Sequence, residues 1–165
     1  ALSPGLCARS RAIVGTITPA NTSVAADGAA FCVVVSERIA RRLDAPAIKI
    51  IGGCTLGGRP DLPGLAPVAA IQTLLQRLNI TPGHLAVAEI MEAYATQAIA
   101  CVTESGINPE IVNPGGGSLA RGHPIGASGA INAVRLYHEL AVQGGTGIAA
   151  IAAAGGIGTA LLLRA

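Results

Sequence analysis

Apolar and polar positions alternate between two periods along the chain, and the switches between them mark the elements. Residues 1–28 have neither period and hold the turn formers Pro4, Gly5, Gly15, Pro19, Asn21, Asp27 and Gly28, so they read as an extended, irregular segment. Ala29–Val35 (AAFCVVV) is a short β-branched apolar run and predicts a buried strand. Ser36 can cap a helix over 37–43, with Glu37 in its first turn. Ile48–Gly53 predicts a second strand, and 54–66, with Gly57, Gly58, Gly64, Pro60 and Pro63, a loop. Pro67 can open a helix, and Val68, Ile71, Leu74, Leu75 and Leu78 follow at three- and four-residue spacing. Leu85–Ile90 predicts a third strand, Glu92–Ser105 a helix stopped by Gly106, and Ile111–Asn113 a brief strand. Pro114–Gly126 is a glycine-rich loop ahead of a helix over Ala127–Val142. Gly147–Ala153 and Thr159–Leu163 are apolar strands joined by a glycine-rich turn, which predicts an antiparallel hairpin.

From residue 47 onward strands and helices alternate, the pattern of an α/β domain. It implies a mostly parallel sheet with helices on its faces and an antiparallel edge. One short echo stands out: Gly28–Val35 and Gly158–Leu163 both run from a glycine through small residues into an apolar strand. Chance likeness between two buried strands explains it as well as an internal repeat does.

Composition narrows the classes. The 165 residues are 51% apolar and 12% charged, which excludes a disordered chain. Phe31, Tyr94 and Tyr137 are the only aromatics, so no stacking platform for single-stranded nucleic acid exists. The formal charge is +2 and the basic residues are scattered. Arg38, Arg41 and Arg42, at helical spacing, read as a solvated helix face; no basic stripe calls for DNA or RNA. No C-x-x-C pair points to zinc, and Cys32 and Cys101 sit in apolar runs where cysteine acts as a small hydrophobe. No apolar stretch is long enough to span a bilayer and no secretory signal is visible, so a cytoplasmic setting is expected. The chain opens on Ala1, which fits either processing or a longer polypeptide.

His123 is the leading candidate for chemistry. It lies between Gly122 and Pro124, just before a helix start, among glycines that let backbone approach a ligand. Unpaired N–H groups at such a start suit an anionic or developing oxyanion group, and an imidazole can donate a hydrogen bond or shuttle a proton near neutral pH. Glu89 and Glu92 follow a predicted strand, where functional residues of open α/β sheets gather. Acid–base work is one reading; the simpler one has Glu92 opening the next helix and complementing its dipole. The 154–158 turn lacks a phosphate-loop pattern, so nucleotide binding is poorly supported.

Four ordered stretches carry a family resemblance. Gly122-His123-Pro124-Ile125-Gly126-Ala127-Ser128-Gly129 resembles the active-site histidine signature of thiolases. Gly15–Ser23 with Asp27–Ala30 resembles the segment that leads into the last strand of that family's N-terminal half. Glu89–Ala95 is similar to its N-E-A-F-A motif, and Ala152–Gly158 to its terminal C-x-G-G-G-x-G. Ketosynthase-like condensing enzymes share a related G-H loop, but the GHPIGASG form and the 89–95 stretch fit thiolases better.

The resemblance implies a thiolase-like half-fold: a mixed five-stranded sheet with helices on both faces over 47–165, the C-terminal half of an αβαβα sandwich. Residues 1–46 would link to the N-terminal half, with 29–35 as that half's final strand. It implies an acyl-CoA acyltransferase of the acetyl-CoA acetyltransferase class, with acyl-CoA and coenzyme A as substrates, no covalently bound cofactor, and an oligomeric assembly. His123 would help activate a cysteine nucleophile supplied by the N-terminal half and hydrogen-bond the thioester oxygen. Met91 stands where the family has a water-holding asparagine, and Ala152 where it has an acid/base cysteine. Ala93, Tyr94, Gly122, Pro124, Ala154 and Gly155 would line the substrate, Ala154 through its amide. The two substitutions also leave room for a non-catalytic acyl-CoA-binding or scaffold subunit.

Overall fold

A computed structural model describes residues 16–165. The turn formers before Thr16, and Cys7, lie outside the described residues. The elements are α1 (Glu37–Ala40), β1 (Lys49–Gly57), α2 (Ala66–Arg77), β2 (Leu85–Ile90), α3 (Ala95–Ser105), α4 (Ser118–Arg121), α5 (Ser128–Gln143), β3 (Thr146–Ala153) and β4 (Ile157–Arg164).

The strands form one mixed sheet of four, where five were expected, in the order β1-β4-β3-β2. β4 pairs antiparallel with both β1 and β3, whereas β2 and β3 run parallel. The expected antiparallel hairpin is β3–β4. Parallel pairing is thus confined to one side of the sheet, where the predicted brief strand at 111–113 contributes a single parallel bridge, Val112 to Ala88. β1 runs on to Gly57, into residues expected to be loop, because β4 offers it a partner as far as Ile157.

Alternation along the strands sorts the core into two layers. Ala88, Ile90, Ile148, Ala150, Ala160 and Leu162 face α2 and α3, meeting Val68, Ile71, Leu74, Leu75 and Cys101. Val87, Ala149 and Leu163 face the other way, against Leu136 and Leu140 of α5. Each fully buried Val, Leu or Ile side chain among them contributes about 1.5–3 kcal/mol. On the α5 side a groove of about 390 Å³ remains open, walled by Thr55, Asn132, Ile151, Thr159 and Leu161.

Ala29–Val35 is not a strand here. It runs without a ladder partner, with Phe31 and Val33 each 89% exposed. The run has strand chemistry, but the described residues give it no sheet edge to join. Cys32 is exposed with it. The helix expected over 37–43 is the single turn α1, and Arg38, Arg41 and Arg42 are solvated as expected.

Candidate functional site

The predicted residues gather at the C-terminal ends of the parallel strands. Ile90 pairs with Ala150, and Met91 continues that ladder, its N–H donating to Ala150 O at 3.0 Å. Met91 is 2% exposed, so an apolar thioether fills this end of β2. Ala152 lies near the end of β3, opposite Gly158, and Ala154 and Gly155 form the exposed turn beyond it.

Glu92 does not open a helix. α3 begins at Ala95, after the extended residue Tyr94, because Ala93 and Tyr94 are drawn into contacts with the N-terminal segment. Ser23 N–H donates to Ala93 O at 3.0 Å, the Ser23 hydroxyl donates to Glu92 O, and Thr22 bridges Tyr94. One residue on, His123 N–H donates to Val24 O at 2.8 Å, and Ala25 bridges His123. Residues 22–25 therefore form a strap that stitches the 91–94 loop to the histidine loop. Gly122 is required at the seam: its φ is +91°, and a Cβ there would lie 2.7 Å from Ala26 Cβ.

His123 is held from both ends. Its Nδ1 lies 2.6 Å from Ser128 Oγ, in the first turn of α5, and Ser128 Oγ reaches Pro124 O at 3.0 Å. The imidazole Nε2 makes no hydrogen bond among the described residues. Partial burial lowers the pKa of His123 from the ordinary histidine value, which keeps the ring neutral near pH 7. Ser128's one proton decides the ring's role. Donated to Pro124 O, it leaves Nδ1–H bonded to Oγ and a basic lone pair on Nε2; donated to Nδ1, it leaves Nε2–H as a donor.

Glu89 is fully buried and pairs with Arg135 Nε at 3.0 Å, its other oxygen without a partner among the described residues. Burial raises its pKa against the lowering pull of Arg135. It braces β2 against α5. Two contributors escaped the sequence reading. Ser128 was hidden as an ordinary small residue at a helix start, although its place five residues after the histidine is the signal. Asn113 fell in a segment expected to be strand; it carries φ +47° and bonds Ile90 on both sides, and the following Pro114-Gly115-Gly116 was the cue.

Residues 45–165 match the model of the family described as thiolase, C-terminal domain. The chain belongs to the thiolase family. This thiolase domain is 40% identical over 152 residues to the cytosolic acetyl-CoA acetyltransferase of Mus musculus, covering 91% of this chain and 38% of that protein. It is 38% identical over 153 residues to the beta-ketoadipyl-CoA thiolase of Pseudomonas aeruginosa, covering 90% and 38%. Among solved structures, it resembles the Acat5 thiolase of Ascaris suum in complex with coenzyme A at a TM-score of 0.80 and 33% identity, covering 91% of this chain and 39% of that one. The chain spans about two fifths of the length of these thiolases. The likeness accounts for the mixed sheet with helices on both faces as a thiolase half-fold. No helix among the described residues is long and apolar enough to cross a membrane.

Proposed function

We propose that residues 47–165 are the C-terminal half of a thiolase-class acyl-CoA acyltransferase. An N-terminal thiolase half, in the same polypeptide or in a partner chain, completes it, and residues 1–46 make the connection. The observation that carries this reading is the tethered imidazole of His123, fixed through Nδ1, with Nε2 free of hydrogen bonds among the described residues. With its lone pair on Nε2, His123 takes the thiol proton of a cysteine nucleophile from the other half. With the proton on Nε2, it donates to the thioester oxygen as negative charge develops there. Acyl-CoA is the substrate and needs no covalently bound cofactor. Its pantetheine end would run past Ala93, Tyr94, Gly122 and Pro124, with the turn at Ala154 and Gly155 offering backbone amides to the acyl oxygen.

In the assembly, the apolar 29–35 run joins the other half's sheet, and the open α5 face is covered by it. Such complexes would be homo- or hetero-oligomers in the cytoplasm, a setting supported by the cytosolic name of the mouse relative.

A second reading keeps acyl-CoA binding without turnover. It is favoured by Met91, whose thioether holds water poorly, and by Ala152, which has no proton to give. Losing a positioned acid–base group costs ~10²–10⁴-fold in rate. We expect the purified chain alone to show no thiolysis of acetoacetyl-CoA. Robust turnover by the chain alone contradicts the site assignment. Calorimetry with acetyl-CoA after an N-terminal half is supplied separates the two readings: binding without turnover selects the second.

A further inference from the structure

We propose that Glu92 is a positioning residue for His123: its carboxylate, wedged between the Asn113 amide and the Leu119 N–H, sets the short helix α4 that carries the histidine loop. Donors and acceptors fix the carboxylate in place. Asn113 is buried, in a left-handed conformation rare outside glycine. Its Oδ1 accepts from Ile90 N–H at 2.8 Å, and its Nδ2 donates to Ile90 O at 2.9 Å. Those two bonds fix which end of the amide carries the nitrogen, so the group cannot turn over.

The second Nδ2 hydrogen goes to Glu92 Oε1 at 2.7 Å, and Glu92 Oε2 accepts from Leu119 N–H at 3.0 Å. Both neighbours of the carboxylate are therefore donors. A carboxylate satisfies both; an amide of the same shape presents its NH₂ to one of them. Gly117 lies flat against this carboxylate, and a Cβ on it would overlap the oxygens. In return, Glu92 N–H points to Ser118 Oγ at 3.4 Å. α4 then runs without a break into Gly122, whose N–H donates to Ser118 O at 2.8 Å, and so into His123. The clamp thus reaches from the end of β2 to the imidazole through one helical turn. Its consequence for catalysis rests on the proposed function; its effect on the imidazole does not.

The test uses the full chain with ¹⁵N-labelled histidine, His84 and His138 serving as internal references. In Glu92→Gln the ring signals and titration midpoint of His123 move, the ring signals of His84 and His138 stay, and exchange of the Leu119 N–H speeds up about tenfold or more. Adding Asn113→Asp to Glu92→Gln restores one donor–acceptor pair. The His123 signals of the double variant then lie closer to the parent than those of Asn113→Asp alone. A merely structural role would disturb all three histidines together and make the double variant the worst. Should Glu92→Gln fail to fold, Glu92→Asp keeps two acceptors on a shorter stem and gives a smaller shift of the same signals. His123 signals that match the parent in whichever of the two folds overturn the proposal. No acyl-CoA enters these measurements, so a failure of acyl-CoA binding defeats the functional reading and leaves this one standing.

Discussion

Gly28–Val35 and Gly158–Leu163 share a pattern and have opposite fates. In β4, Leu162 is fully buried and Leu163 6% exposed, with partner strands on both sides. In the N-terminal run, Phe31, Val33 and Val34 are 89%, 89% and 72% exposed, and no ladder forms. The side chains do not explain the difference, since the exposed run is if anything richer in β-branched residues. The neighbours do. β4 is laid down beside β3 by a tight turn and then claims β1, whereas the N-terminal run lies beside Pro124 and the start of α5 through Gly28–Phe31 and meets no strand edge among the described residues. Strand chemistry needs a partner edge, and among the described residues the N-terminal run has none.

The comparison breaks first on stability. Leu162→Ala should cost about 2–5 kcal/mol, as other large-to-small changes in packed cores do. Val33→Ala should change stability by less than about 0.5 kcal/mol, as at other exposed sites. Equilibrium denaturation of the chain measures both, and comparable losses would mean that the two strands are not so differently placed.

Much of this division was legible in the sequence. β2, α2 and the β3–β4 hairpin follow from period and turn chemistry alone, because each keeps one apolar pattern over its whole length, even though α2 is buried against β4 and β2 against β3, far along the chain. What the periods could not show was who pairs with whom. Residues 29–35 read as a core strand because a β-branched apolar run records strand chemistry and says nothing of where a partner edge lies. Glu92 misled for a related reason. An acidic residue ahead of a helical pattern normally opens that helix, but here Asn113 and Leu119, 21 and 27 residues away, claim its carboxylate. His123 was visible from its glycine frame, while its anchor Ser128 showed only as a small residue five positions on, at the start of a helix.

A smaller effect sharpens where the docked part of the chain begins. Burial lowers the pKa of His123 in the folded state, so as pH falls through about 6.5 the unfolded chain takes up this proton first. Stability contributed by the neutral ring is present above that ordinary value and declines as pH drops towards the lowered folded value. His123→Asn should remove this part of the pH dependence in denaturation measured from pH 7.5 to 5, and leave the response to Val33→Ala untouched. An unchanged pH profile would place the imidazole in solvent, on the undocked side.

The N-terminal run has strand chemistry and no partner strand among the described residues, and amide exchange tests directly whether it awaits one. In the chain alone, the amides of residues 29–35 should exchange at close to unprotected rates, while those of Leu161–Leu163 are among the slowest. With an N-terminal thiolase half supplied, the 29–35 amides should slow by about 10²-fold or more as a ladder forms. Protection of 29–35 in the isolated chain, or none in the assembly, would contradict it.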